Sequence, residues 1–198
     1  MGFEALDGHT NVALYLLCSC TVFLFLVTSA PISQFRGQGI RSDGTGGASK
    51  LSCVTVWGLK NDCNRNDYDY RPTSIECALP KDLFQASEAF YIVAVLVSLL
   101  SCLMGGLHFM GIKAKLLLIL LAVLEVVLAL IPWACMTAVW YSDYCNGSTV
   151  TINATTGKSD GVPYGSVLRS SFKISAGYGM TVAAWCIQVI GLVLLIVM

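Results

Sequence analysis

Charged side chains are scarce in this 198-residue chain. Asp, Glu, Lys and Arg together make up 12% of it, about half the roughly 25% of an ordinary soluble domain, so a water-soluble globule is excluded. Neither sign is in excess, with 12 Lys plus Arg against 12 Asp plus Glu; no basic face for nucleic acid and no acidic tail is present. Histidine is nearly missing, with only His9 and His108, and no cysteine spacing follows a zinc pattern. No metal or cofactor is expected. The chain lacks a Gly-x-Ser-x-Gly elbow, a P-loop and a His-Glu-x-x-His helix, so catalytic residues are not expected and the chain reads as a non-enzyme.

What it has in abundance is apolar residues, 56% of the total. Four segments, 12–30, 86–110, 116–140 and 177–198, hold only two charges between them, Glu88 and Glu125. About 20 residues at ~1.5 Å rise cross a ~30 Å hydrocarbon core, so each segment is long enough to span a bilayer. A four-span integral membrane protein follows. A cleaved signal peptide is the alternative for 12–30, with Thr28-Ser29-Ala30 as cleavage site. The preceding residues carry no Lys or Arg, and the apolar stretch is longer than such signals use. The chain stops at Met198 inside an apolar run; either there is no tail or the sequence is a piece of a longer one.

The connections are very unequal: 31–85, the short 111–115 turn, and 141–176. Both long loops therefore share one side. The turn carries Lys113 and Lys115 and no acid, which favours a cytoplasmic position, although the first loop holds seven Lys or Arg. The second loop resolves the conflict. It contains two glycosylation acceptors, Asn146-Gly-Ser148 and Asn153-Ala-Thr155, and sugar is added only on the lumenal side. Asn146 directly follows Cys145, so Asn153 is the safer acceptor. Both long loops are expected outside the cell, both termini in the cytoplasm, and the protein in the plasma membrane.

Nine cysteines divide by position. Cys18, Cys20, Cys102, Cys135 and Cys186 lie in spans, where a thiol is a small packing residue. Cys53, Cys63, Cys77 and Cys145 lie in the loops, where an oxidising environment pairs them. Four cysteines permit three connectivities. The run Cys53-Val54-Thr55-Val56-Trp57 alternates as a strand does, with Gly58 as a bulge or turn just after it. A hairpin turning near Gly58 would set Cys53 opposite Cys63.

From Cys53 to Cys63 the sequence is Cys-Val-Thr-Val-Trp-Gly-Leu-Lys-Asn-Asp-Cys. This run resembles the signature of the amastins, surface glycoproteins of trypanosomatid parasites. Cys53, Thr55, Trp57, Gly58, Lys60, Asp62 and Cys63 stand at its restricted positions. Four spans and a long first loop match that family too, so the resemblance covers nearly the whole chain. It implies a tetraspan surface glycoprotein acting in contacts between the parasite surface and a host cell or vacuole membrane, through lipid or self-association. A more distant likeness is to claudins, whose first loop carries Gly-Leu-Trp, two residues, Cys and a second Cys; here Gly58-Leu59-Lys60 precede Cys63 and Cys77. It implies an all-α, claudin-like four-helix bundle with a small disulfide-braced extracellular β layer from both loops. It also favours Cys63 with Cys77, leaving Cys53 for Cys145. Lys60 in place of Trp weighs against claudin-type barrier formation.

At mid-depth the spans hold Thr21, Ser98, Glu125 and Gln188, a candidate polar layer. Glu125 lies ten residues after Lys115, about 15 Å deep. A bare carboxylate there costs at least ~2.5 kcal/mol, so Glu125 is expected as the neutral acid or hydrogen-bonded inside the bundle, with Gln188 as preferred partner. Interhelical adhesion is the plain reading; a proton or ion conduit, or transport accessory, is the competing function. Small residues at Ala94, Ser98, Cys102 and Gly106, and at Ser175, Gly179 and Ala183, recur every four positions. They are expected to pack the bundle, with homo-oligomerisation as the sharper alternative.

Overall fold

Apolar runs that would meet lipid have to satisfy their backbone internally, and helices do so within one segment. In a computed structural model that describes residues 3–38, 51–75, 77–112, 114–143 and 164–197, the elements in chain order begin with α1 (Phe3–Ser29), β1 (Phe35–Gln38), β2 (Leu51–Thr55) and β3 (Gly58–Lys60). A short 3₁₀ turn at Pro72–Ser74 leads to α2 (Ala78–Phe109) and α3 (Lys115–Tyr141), then α4 (Tyr164–Ser171), β4 (Phe172–Ile174) and α5 (Ala176–Val197). Among the described residues four helices are long and apolar enough to cross a membrane: Thr10–Ser29 of α1, α2, α3 and α5. Asn146, Asn153, Cys145 and Lys113 lie outside the described residues.

Helix α2 starts well before the apolar boundary at 86. Pro80 is in its first turn, where the missing N–H would have had no helical partner anyway. Lys81 and Asp82 follow without ending the helix, and the Lys81 N–H reaches the Cys77 carbonyl at 3.2 Å. Helix α3 runs through Pro132 unbroken.

The chain divides into two compact units. The first comprises Met1–Thr28, Phe90–Pro132 and Met180–Met198, that is nearly all of α1, the second part of α2, the first part of α3 and most of α5. Its core gathers Tyr15, Leu118, Ala122 and Leu195, with Met104, Ile119 and Leu192 packed against them. Large side chains such as Leu17, Leu96, Leu120 and Ile190 point outward, as lipid-facing positions do. The small-residue stripe on α2 holds at Ala94 and Ser98, both fully buried, and then moves by one residue to Ser101 and Gly105 in place of Cys102 and Gly106. Gly106 has open space where a Cβ would be, whereas a Cβ at Gly105 would lie 3.2 Å from the Leu16 side chain. Gly105 is therefore the close approach of α1 and α2.

The second unit comprises Ser29–Ala89 and Trp133–Gly179. Its antiparallel sheet has the order β3-β2-β1-β4, so the first long loop supplies three strands and the second the fourth. Phe35 of β1 pairs with Val54 and with Ile174. Its ring stacks on Trp140 of α3, centroids 4.7 Å apart, and on Tyr178 of α5 at 6.3 Å. Val54, Phe84, Met136, Val139 and Leu168 complete this core. The chain around Gln34 stitches the unit: the Gln34 N–H donates to the Val54 carbonyl at 2.7 Å, and its own carbonyl accepts the Ser175 N–H at 2.9 Å.

Candidate functional site: the signature hairpin and the buried polar cluster

The hairpin turns two residues earlier than its alternating pattern suggests. Strand β2 ends at Thr55, Val56 and Trp57 form the turn, and Gly58 opens β3 opposite Thr55. Thr55 is the cause. Its hydroxyl donates to the Gly58 carbonyl and accepts the Trp57 N–H, each at 3.2 Å, a side-chain closure of the kind that competes with continued strand. Gly58 has φ +136°, and a Cβ there would strike the Tyr70 carbonyl oxygen; that oxygen accepts the Leu59 N–H at 2.9 Å. Only glycine meets both conditions.

The rest of the signature secures the hairpin's end. Cys53 and Cys63 form a disulfide, Cα atoms 5.3 Å apart, and the Cys63 N–H donates to the Leu51 carbonyl at 2.9 Å. This corrects the Cys63–Cys77 pairing that the claudin likeness favours: the two-residue turn sets Cys53 opposite Lys60, and the chain turning back after β3 brings Cys63 to the Leu51 carbonyl and so beside Cys53. Cys77 is disulfide-bonded as well, to a partner outside the described residues. Asp62 Oδ1 accepts the Asn64 N–H at 3.0 Å, turning the chain after β3. The Lys60 ammonium lies 4.5 Å over the Tyr68 ring, a contact of about 0.5–1 kcal/mol at an exposed position. Trp57 differs from the others. Half-buried at the turn, its side chain makes no hydrogen bond or ring contact among the described residues.

In the first unit, the polar groups expected at mid-depth separate. Glu125 and Gln188 are both fully buried, and Gln188 Nε2 donates to Glu125 Oε2 at 2.8 Å. Thr21 and Ser98 instead bond their own helices, Thr21 to the Leu17 carbonyl at 2.8 Å and Ser98 to that of Val95 at 3.0 Å. Equal depth did not bring them together, because a short hydroxyl in an apolar helix reaches its own backbone first. Two residues not anticipated stand nearer the carboxyl. The hydroxyls of Tyr15 and Ser101 share a bond of 2.7 Å, and Ser101 lies beside Glu125. Ser101 is one turn beyond Ser98, which was the available signal; nothing in the sequence marked Tyr15.

Glu125 Oε1 and Gln188 Oε1 accept no hydrogen bond among the described residues, and Ser19 Oγ makes none. Two buried acceptors thus stand without a donor beside a pair that holds one bond. A proton on the carboxyl would supply that donor without a counter-ion, as chemistry requires of an acid in hydrocarbon. Among the described residues no cluster of His, Cys, Asp and Glu could hold a metal ion.

Two outcomes follow. Peptide mapping without reduction should recover Cys53 linked to Cys63, and a second linked pair joining Cys77 to Cys145, since the other five cysteines are thiols; a 63–77 peptide would reject the hairpin. In the bundle, Glu125→Gln gives Gln188 a complementary amide, so surface expression should be unchanged. Glu125→Leu leaves the Gln188 amide without its partner and should weaken helix association by about 1 kcal/mol. Proton or cation flux into vesicles carrying the parent should stay at background. A flux lost in Glu125→Gln would instead make the cluster a conduit.

No curated protein and no solved structure matches the chain. A family model, that of the amastin surface glycoproteins, matches residues 20–195. The match takes in all of β1 to β4, the hairpin with its Cys53–Cys63 bond, the whole of α2 and α3, nearly all of α5 and the last part of α1 from Cys20. This multi-pass membrane protein therefore belongs to the amastin family of surface glycoproteins.

Proposed function

We propose that the chain works at the plasma membrane with both long loops outside and both termini inside, and that its sheet unit makes contact between the parasite surface and a host cell or vacuole membrane. The carrying observation is the division of labour within the hairpin. Thr55, Gly58, Asp62 and the Cys53–Cys63 bond are occupied in shaping it. Trp57 is held half-buried at its turn, with no side-chain hydrogen bond or ring contact among the described residues. Tryptophan on a rigid support is the side chain that most often dominates a protein contact, because it offers a large area and little entropy to lose.

The orientation has its own chemical support. A disulfide persists on the oxidising side of a membrane, and the sheet that contains it draws on both long loops. Glycans at Asn146 and Asn153 would share that side. The short turn with Lys113 and Lys115 would then face the cytoplasm, as basic turns do.

Tags test the orientation on intact cells. A tag in 39–50 should be labelled from outside, and one in the 111–115 turn only after permeabilisation; the reverse pattern would overturn the arrangement. For the contact itself, cells displaying Trp57→Ala should attach to host-membrane vesicles at least tenfold less than the parent, the scale of a dominant contact residue. Trp57→Phe should recover most of the loss. Attachment by Trp57→Ala equal to the parent, with the 53–63 link intact, would remove the hairpin from the contact.

A further inference from the structure

The sheet sets two cations against each other. Arg36 of β1 and Lys173 of β4 are direct partners in the antiparallel register, so their side chains leave the same face about 5 Å apart at Cβ, where like charges repel. Both are exposed, and among the described residues neither pairs with a carboxylate. A groove of about 700 Å³ opens beside them, lined by these two, by Arg169 and by Ser170, Ser171 and Ser175, and among the described residues by no acid. Arg169 is committed elsewhere. Its Nη1 donates to the Trp140 and Tyr141 carbonyls at 2.7 Å, and its Nη2 faces the Asp143 carboxylate at 3.3 Å. The uncompensated charge in the groove therefore belongs to Arg36 and Lys173.

Two further features narrow the occupant. Leu51, which also lines the groove and shares the sheet face of Arg36, is 43% exposed, so apolar surface adjoins the cations. Lys173 also precedes the first residue of α5 by only three positions, at most about 11 Å along the chain. The polar layer of a bilayer extends roughly 5–7 Å beyond its hydrocarbon core, and a lysine stem reaches several ångströms toward such a boundary. We propose that this groove binds the phosphate of an anionic phospholipid in the protein's own bilayer, with Arg36 and Lys173 on the phosphate oxygens and Leu51 against the glycerol and upper acyl chain. A zwitterionic headgroup fits less well, since its ammonium would lie beside two cations. The site goes beyond the contact function and does not depend on it.

The test uses the full chain in mild detergent, titrated with fluorescent short-chain phosphatidylglycerol. Saturable binding is expected. Arg36→Gln with Lys173→Gln should weaken it roughly 25-fold, about fivefold for each cation removed near an anionic surface, while the charge-preserving exchange Arg36→Lys with Lys173→Arg should bind within about threefold of the parent. If the double Gln variant does not fold, Lys173→Gln alone should show the fivefold step. Unlabelled phosphatidylcholine and millimolar inorganic phosphate should not displace the probe. Parent-like binding by folded Gln variants, or equal displacement by phosphatidylcholine, would overturn the charge recognition. Displacement by inorganic phosphate would replace the lipid with a soluble anion and overturn the assignment.

Discussion

Within hydrocarbon a polar group has no water to fall back on, and that one constraint organises the four-helix unit. The backbone complies by remaining helical, even through Pro132. Side chains comply in two ways. Thr21, Thr28 and Ser98 return their hydroxyls to carbonyls of their own helices, which holds nothing together. Tyr15 with Ser101, Tyr91 with Thr181, and Gln188 with Glu125 reach across, joining α1 to α2, α2 to α5 and α3 to α5. Apolar side chains gain little from facing one another rather than lipid, so these few bonds and the close approach at Gly105 fix which face of each helix turns inward.

The sheet unit answers a different need. It is too small to be held by its apolar contacts alone, and its order comes from the Phe35–Trp140–Tyr178 ring stack, the backbone bonds around Gln34 and the Cys53–Cys63 link. Seen this way, the family signature is mostly a folding instruction: a hydroxyl to close the turn, a glycine where a side chain would strike Tyr70, an acid to begin the next turn and two sulfurs to lock the ends.

Much of this was legible in the sequence. Runs of about 20 residues with almost no charge and a specific eleven-residue motif identify the membrane fold and the family. The Glu125–Gln188 contact was also foreseeable, since a lone carboxyl in hydrocarbon has few partners to choose from. Helical phase was harder to read. Depth along a span says nothing of the face a residue occupies, which is why Thr21 and Ser98 seemed to belong with Glu125 while Tyr15 and Ser101 stood closer to it. The turn was misplaced for a related reason: period-two alternation continues through Trp57, and only the Thr55 hydroxyl bonds end the strand. The disulfide depends on a second reversal after Lys60, which returns Cys63 to Leu51 and has no counterpart in the claudin-like spacing.

The order in which the sheet can be assembled follows from its topology. Strands β1, β2 and β3 all precede α2, and the sulfurs of the hairpin are separated by only ten residues. The hairpin can therefore close while the ribosome is still making the second span. β4 comes from residues 172–174, after α3 has been synthesised, and until it arrives the outer edge of β1 has bare amides and carbonyls. Such an edge is the kind of surface that chaperones in the secretory pathway retain. The three residues of β4 thus cover that edge only after three of the four long helices have been made, so the sheet is completed near the end of synthesis.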